Sequence, residues 1–145
     1  MSKNVRQISV FLENRPRTLA EALKLVKGSM INIRAMSLAD TKDFGILRMI
    51  VNDTEKAVES LKSSGYAVTV TEVVAISIPD SPGQLSRVLD LLGAKDVNIE
   101  YLYAFIGKSD MSVSFVIRVD DVENASAVLA DNGVIQLTEH DVATM

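Results

Sequence analysis

The amino-acid sequence predicts an α+β protein made of two tandem βαββαβ units, each an antiparallel four-stranded sheet with both helices on one face. Three observations support this prediction. Apolar residues alternate with a period of two in the predicted strands and recur at i, i+3, i+4 and i+7 in the predicted helices. A turn motif that connects a strand to a helix occurs twice. Matching residues of the two halves are separated by 66 or 68 positions throughout.

The first unit starts with a strand because Ile8, Val10 and Leu12 alternate with other residues, as in a strand with one buried face. An apolar stripe then predicts a helix, and further alternation and helix-capping residues predict the remaining elements. The predicted elements are a strand at 8–12, a helix at 19–26 ending at Gly28, strands at 31–38 and 44–51, a helix capped by Asp53 and ending at Gly65, and a strand at 66–72.

The second unit repeats this order, which is the ferredoxin-like arrangement. Val74, Ile76 and Ile78 alternate like the first strand, and a helical stripe follows. The separation of 66 holds for Pro16 and Pro82, Leu19 and Leu85, and Asn32 and Asn98; that of 68 holds for Val51 and Val119, Asp53 and Asp121, Leu61 and Leu129, and Gly65 and Gly133. Two extra residues are therefore predicted near the hairpin at 106–109, where insertions disturb a fold least.

We expect residues 1–71 to form the first domain and residues 72–145 the second. A lone domain of about 70 residues buries little of its surface and is marginally stable. Strands at 31–38 and 44–51 are apolar on both faces, whereas a half-exposed sheet is polar on one face. We therefore expect the halves to pack on each other and on a second chain as a homodimer, with ligand sites at the seams.

Composition excludes several kinds of protein. The 145 residues carry a net charge of -4 and include no cysteine, which argues against a thiolate metal site and against general attraction to nucleic acid or membranes. No metal or other cofactor is expected. No apolar run approaches the length of a membrane-spanning helix, and a cytoplasmic location is the default expectation.

The segment Pro79–Leu85, with an imperfect copy at Glu13–Leu19, is the motif to which we assign function. A strand that ends in a tight turn before a helix presents unpaired backbone N–H groups, which suit a carboxylate or another anion. Ser81 is expected to be the N-cap, Pro82 to occupy the first helical position, and Gln84 to complete a capping box.

This strand, turn and helix, followed by a strand entered through Asn-Ile, resembles the ACT domain, a small-molecule-sensing module found mainly on enzymes of amino-acid metabolism. The resemblance covers nearly the whole chain. It rests on Asp80, Pro82, Gly83, Leu85 and Val97–Ile99 in the second unit, and on Asn14, Pro16, Leu19 and Ile31–Ile33 in the first.

The resemblance implies a free-standing regulatory protein without a catalytic domain, which binds an amino acid where the first loop of one unit meets the second strand of a neighbour. Backbone N–H groups would hold the ligand carboxylate, and Asp80, Asn14 or strand carbonyls would accept from its ammonium. An amino-acid metabolism enzyme is the implied partner. The implied ligand-binding residues are Asn14, Arg15, Pro16, Arg17, Thr18, Leu19, Ile33, Asp80, Ser81, Pro82, Gly83, Gln84, Leu85, Asn98 and Ile99.

The first unit departs from this pattern because Arg17 replaces the glycine. Either the ligand cannot approach that backbone closely, or Arg15 and Arg17 bind a more acidic ligand. We favour the second-unit loop as the site. His140 stands between Glu139 and Asp141, and a solvated cluster is favoured there over a metal site.

Three other functions have weaker support in the sequence. An enzyme is not supported, since the chain has no cysteine, no histidine in a plausible triad and no phosphate loop. An RNA-binding sheet needs exposed aromatic residues and a basic surface, whereas this chain is acidic. A structural dimerisation subunit without a ligand, serving an amino-acid metabolism enzyme, is the main alternative, and ligand binding would distinguish the two.

Overall fold

The computed structural model describes residues 4–40, 43–107 and 111–145. The predicted βαββαβ order is present in both halves. The elements are β1 (Val5–Glu13), α1 (Thr18–Gly28), β2 (Ile33–Asp40), β3 (Phe44–Val51), α2 (Thr54–Ser63), β4 (Ala67–Pro79), α3 (Gln84–Ala94), β5 (Ile99–Ala104), β6 (Ser112–Val119), α4 (Val122–Asp131), β7 (Ile135–Gln136) and α5 (Glu139–Thr144). Of the predicted insertion at 106–109, Lys108 and Ser109 lie outside the described residues.

One strand joins the two halves. We predicted separate strands at 66–72 and 74–78, but β4 is a single strand of 13 residues because no proline or glycine interrupts it before Pro79. Its first part pairs with β1 up to Val73, and its second part pairs with β6 from Val74. The expected domain boundary between residues 71 and 72 therefore lies inside β4, close to the point where its pairing partner changes.

The antiparallel strands follow the order β2-β3-β1-β4-β6-β5, with β7 also paired to β4. The sheet curls until its two ends meet. Ala35 of β2 forms a bridge with Phe105, and the Ile106 N–H donates to the Arg34 carbonyl at 2.7 Å. Curling therefore brings β2 of the first unit against the end of β5 of the second.

Each half has a hydrophobic core between its helices and its part of the sheet. A third cluster lies on the opposite faces of the strands, where the halves meet. It contains buried residues of both units, among them Ile50, Ala75 and Val116, together with Val142 of α5. The predicted packing of one half on the other is confirmed, and the homodimer remains a prediction.

A polar group lies within this seam. Gln7 is fully buried, donates to the Tyr101 hydroxyl at 2.6 Å and accepts from the Tyr103 hydroxyl at 2.6 Å. The Arg48 guanidinium stacks on the Tyr101 ring, 3.9 Å from its centroid. Burial raises the pKa of Tyr103, so its hydroxyl stays protonated and donates to Gln7. This pairing satisfies the buried amide and links the two units.

The helix caps agree in both repeats. Asp53 accepts from the Lys56 N–H and Asp121 from the Asn124 N–H, which confirms both predicted N-caps. Gly65 and Gly133 follow α2 and α4 with positive φ angles, as predicted for helix ends. Within the described residues, no helix combines the length and apolar character needed to cross a membrane.

Candidate functional site

A cavity of about 380 Å³ lies where the loop after β4 approaches β2 of the other unit. Curling of the sheet creates it, since the bridge between β2 and Phe105 brings both units to one place. Its volume lies within the range of about 300–1,000 Å³ that is usual for small-molecule sites. It is lined by Arg34, Asp80, Phe105, Ile106, Gly107, Ser112, Val113, Ser114 and Met145.

Arg34 is placed at the cavity by a local irregularity of β2. The pairing of β2 with β3 shifts register between Ile33 and Ala35, so Arg34 is the additional residue of a β-bulge. Bulges redirect side chains and are common beside functional sites. The Arg34 Nε donates to the Val142 carbonyl at 3.1 Å, and its Nη2 donates to the Ala143 carbonyl at 3.3 Å.

The other polar groups come from the second unit. Asp80 directly follows β4, and its N–H donates to the Met111 carbonyl at 3.0 Å. Ser112 and Ser114 lie on β6 opposite Pro79 and Ser77 of β4. The described side chains of the cavity thus include one guanidinium, one carboxylate and two hydroxyls beside apolar walls. A guanidinium and a carboxylate on one small cavity can bind the two charges of a zwitterion.

The turn before α3 differs from our prediction. Gly83, not Ser81, is the N-cap of α3, with a left-handed φ of 84°, and it has no side chain to cap the helix. The expected capping box and the expected position of Pro82 in the helix are therefore wrong, since α3 begins at Gln84. A left-handed residue at this position ends the turn without a serine cap. Arg17 has the same conformation before α1, with φ 75°.

This geometry explains why a glycine suits the motif. A Cβ added at Gly83 would have no described atom within 4 Å, so the space is open, but φ is positive. Residues with a Cβ adopt this conformation at a cost of about 1–2 kcal/mol. The constraint on this position is thus the backbone conformation.

The predicted site residues do not all lie together. Asp80 lines the cavity between the units, whereas Ser81, Pro82, Gly83 and Asn98 are exposed outside its lining. Leu19, Ile33, Leu85 and Ile99 pack against the helix-side cores. Thr18 is buried, and its hydroxyl donates to the Glu13 and Arg15 carbonyls. Asn14, Pro16 and Arg17 are exposed, and Gln84 is half-buried.

A second cavity, of about 390 Å³, lies beside the first-unit loop. Arg15 lines it and forms an exposed ion pair with Glu13, with Nε and Oε2 2.9 Å apart. Phe11 and Phe44, which are 42% and 53% exposed, form much of its wall. The charge of Arg15 is already paired and the neighbouring surface is aromatic, so this cavity has a different chemistry from the first.

Four residues of the cavity lining are not among the site residues predicted from the sequence: Arg34, Phe105, Ser112 and Ser114. Arg34 immediately follows a predicted residue, Ile33, and is a charged residue in a mostly apolar predicted strand at 31–38. That contrast was a usable signal. The two serines and Phe105 gave none, because their approach to Arg34 depends on how the sheet curls.

The predicted solvated cluster of Glu139, His140 and Asp141 lies on α5. Asp141 forms a capping box with Thr138 at the start of this helix. The Thr138 N–H and hydroxyl hold the pKa of Asp141 below its usual value. Across the described parts of the chain, no group of three histidine, aspartate or glutamate side chains is arranged to hold a metal ion.

Comparison with known proteins agrees with the described fold. Among solved structures, the chain is similar to protein BT0572 from Bacteroides thetaiotaomicron, with a TM-score of 0.92 and 37% identity over 99% of this chain and 100% of that one. It also has the fold of the regulatory subunit of aspartate kinase from Thermus thermophilus, with a TM-score of 0.65 and 15% identity over 87% and 91% of the two chains. The regulatory subunit of aspartate kinase from Thermus flavus gives a TM-score of 0.60 and 15% identity over 87% of this chain and 90% of that one. No curated protein matches. The family model of the ACT domain pair matches residues 3–145, and the chain therefore belongs to the ACT domain pair family.

Proposed function

We propose that the protein is a regulatory module that binds one amino acid in the cavity between its units. The observation that carries this proposal is the presence of Arg34 and Asp80, one from each unit, on the same cavity. Arg34 binds the ligand carboxylate through charge-assisted hydrogen bonds, and Asp80 accepts from its ammonium. Ser112 and Ser114 supply further hydroxyl groups. The sequence motif predicted the Asp80 role, and Arg34 takes the part we had given to backbone N–H groups.

The ligand has an uncharged side chain in this proposal. Among the described residues that line the cavity, Arg34 and Asp80 are the ones with charged side chains, and in this proposal both are engaged by the α-carboxylate and α-ammonium of the ligand. The rest of the lining, including Phe105 and Val113, is apolar or carries hydroxyls. A charged ligand side chain would be desolvated without a partner, which is costly.

A regulatory role without catalysis follows from this arrangement. A ligand held between the two units stabilises the seam that joins them, and a partner protein can respond to the difference between the free and bound forms. Because ACT pairs of this fold occur as regulatory subunits of aspartate kinase, we propose an enzyme of amino-acid metabolism as the partner. The homodimer and the division into domains at residues 71 and 72 belong to the same proposal.

A thermal-shift screen with the standard L-amino acids tests this function. A ligand at 100 times its Kd adds about 2.7 kcal/mol to the free energy of unfolding. We expect one or more uncharged amino acids to raise the melting temperature by several degrees, and aspartate, glutamate and lysine to have less effect. Asp80→Asn removes the proposed acceptor for the ligand ammonium and should reduce this rise in melting temperature. A complete absence of stabilisation would contradict amino-acid binding and favour a structural subunit.

A further inference from the structure

Helix α5 shares a side chain with the proposed ligand site. Arg34 lines the cavity, and the same guanidinium donates to the Val142 and Ala143 carbonyls in the last turn of α5. Carbonyls at a helix C-terminus lack partners within the helix and attract a cation. The helix and the cavity are therefore connected through one charged group.

The geometry of the guanidinium allows both contacts at once. Arg34 uses the edge formed by Nε and Nη2 for the two carbonyls. A guanidinium has five N–H donors, and its other edge, formed by Nη1 and Nη2, can still bind a carboxylate through two hydrogen bonds. Within the described parts of the chain, Nη1 has no protein acceptor, and Nη2 has a second N–H besides the one that donates to Ala143. Contact with α5 thus fixes the orientation of the side chain and leaves one edge for a ligand.

The position of α5 depends on tertiary contacts. A helix of six residues is too short to be stable alone. Val142 anchors it by burial in the cluster between the units, and Thr138 and Asp141 form a capping box at its start. Arg6 also pairs with Glu139, with Nε and Oε1 3.2 Å apart. These anchors lie on residues outside the cavity lining.

We propose that α5 is the positioning element of the amino-acid site, holding Arg34 ready for the ligand carboxylate. Ligand binding and α5 docking are consequently coupled in the positive direction, and the ligand stabilises α5 to the same extent that α5 favours the ligand. This inference rests on the proposed function. It adds a regulated segment, since α5 is the part of the fold whose docking changes with ligand occupancy.

Isothermal titration of three variants with the standard L-amino acids tests the coupling. Thr138→Ala removes a cap at the end of α5 remote from Arg34, and Val142→Ala weakens its anchor. Both should raise the Kd about fivefold or more, the lower end of ordinary coupling between sites. The matched control is Asp53→Ala, which removes the equivalent cap of α2 and should leave the Kd unchanged while destabilising the fold similarly.

The outcomes separate this inference from the proposed function. If the wild-type protein binds an amino acid and Thr138→Ala and Val142→Ala bind it with unchanged Kd, the positioning role is wrong and the proposed function stands. Tighter binding by these variants would mean that α5 competes for Arg34, which also contradicts it. If the wild-type protein binds no amino acid, the proposed function and this inference both fail. Weaker binding confined to the α5 variants supports the inference.

Discussion

The side chains that line the cavity between the units differ in chemistry from those at the equivalent positions of the other repeat, although the local backbone is alike. Arg34 in β2 matches Glu100 in β5 at a separation of 66, and each is the additional residue of a β-bulge. Asp80 matches Asn14, Ser112 matches Phe44, and Ser114 matches Ile46. One set has a cation, an anion and two hydroxyls, whereas the other has an anion, an amide and two apolar side chains. Only the first set complements a zwitterion.

The scaffold around these positions is alike in both repeats. The Asn32 N–H donates to the Asn52 side-chain oxygen at 2.9 Å, and the Asn98 N–H donates to Asp120 at the same distance. Arg17 and Gly83 have the same left-handed conformation. The two repeats thus share the turns and bulges that place side chains but differ in the side chains themselves, and under our proposal only one repeat provides a complete site.

The largest difference between the two repeats is expected at the bulge residues, Arg34 and Glu100. Arg34→Gln removes the charge that we propose holds the ligand carboxylate, and hydrogen bonds to charged groups contribute about 1.5–3 kcal/mol. We expect affinity to fall by roughly 10- to 100-fold, measured by isothermal titration.

Glu100→Gln is the matched control. Glu100 lies near Arg118 in a half-exposed ion pair, with Oε1 and Nε 3.8 Å apart, so its loss should have little effect on stability. Equal losses of affinity in both variants would show that the two repeats do not differ as described.

A second difference between the repeats lies in the seam. Gln7 corresponds to Val73 at the separation of 66. Gln7→Val leaves the Tyr101 and Tyr103 hydroxyls without their buried partner, and each unsatisfied buried group costs about 1–3 kcal/mol. We expect the urea midpoint of unfolding to fall.

Replacing the hydroxyls as well provides the control for the seam. In a protein that combines Gln7→Val with Tyr101→Phe and Tyr103→Phe, most of the lost stability should return, because polar groups no longer lack partners. If the triple variant were no more stable than Gln7→Val alone, the hydrogen bonds would not explain the loss.

The smallest effect concerns the left-handed residues before α1 and α3. Gly83→Ala should lower the free energy of unfolding by about 1 kcal/mol, because its φ of 84° disfavours a Cβ. Arg17→Gly should raise it by less, since glycine also gains freedom in the unfolded chain. Thermal unfolding should show opposite shifts of a few degrees, and shifts of the same sign would contradict the equivalence of the two turns.

Local patterns predicted most of the fold, and contacts between units were harder to predict. Alternation placed β3 at its observed bounds, and Asp53 and Asp121 were recognised as caps because capping depends on neighbouring residues. The continuity of β4 was missed because the change of pairing partner after Val73 has no local signal. The loop motif located Asp80, whereas Arg34 lies across the seam and enters the site through sheet curling. Capping rules failed at Ser81 because a left-handed Gly83 replaces a side-chain cap.

A crystal structure of the protein with the amino acid that stabilises it most tests the central claim directly. We predict one ligand molecule per chain in the cavity between the units, with its carboxylate on Arg34 and its ammonium on Asp80. A ligand bound instead beside Phe11 and Phe44, or in both cavities equally, would contradict the claim that only one repeat has a complete site.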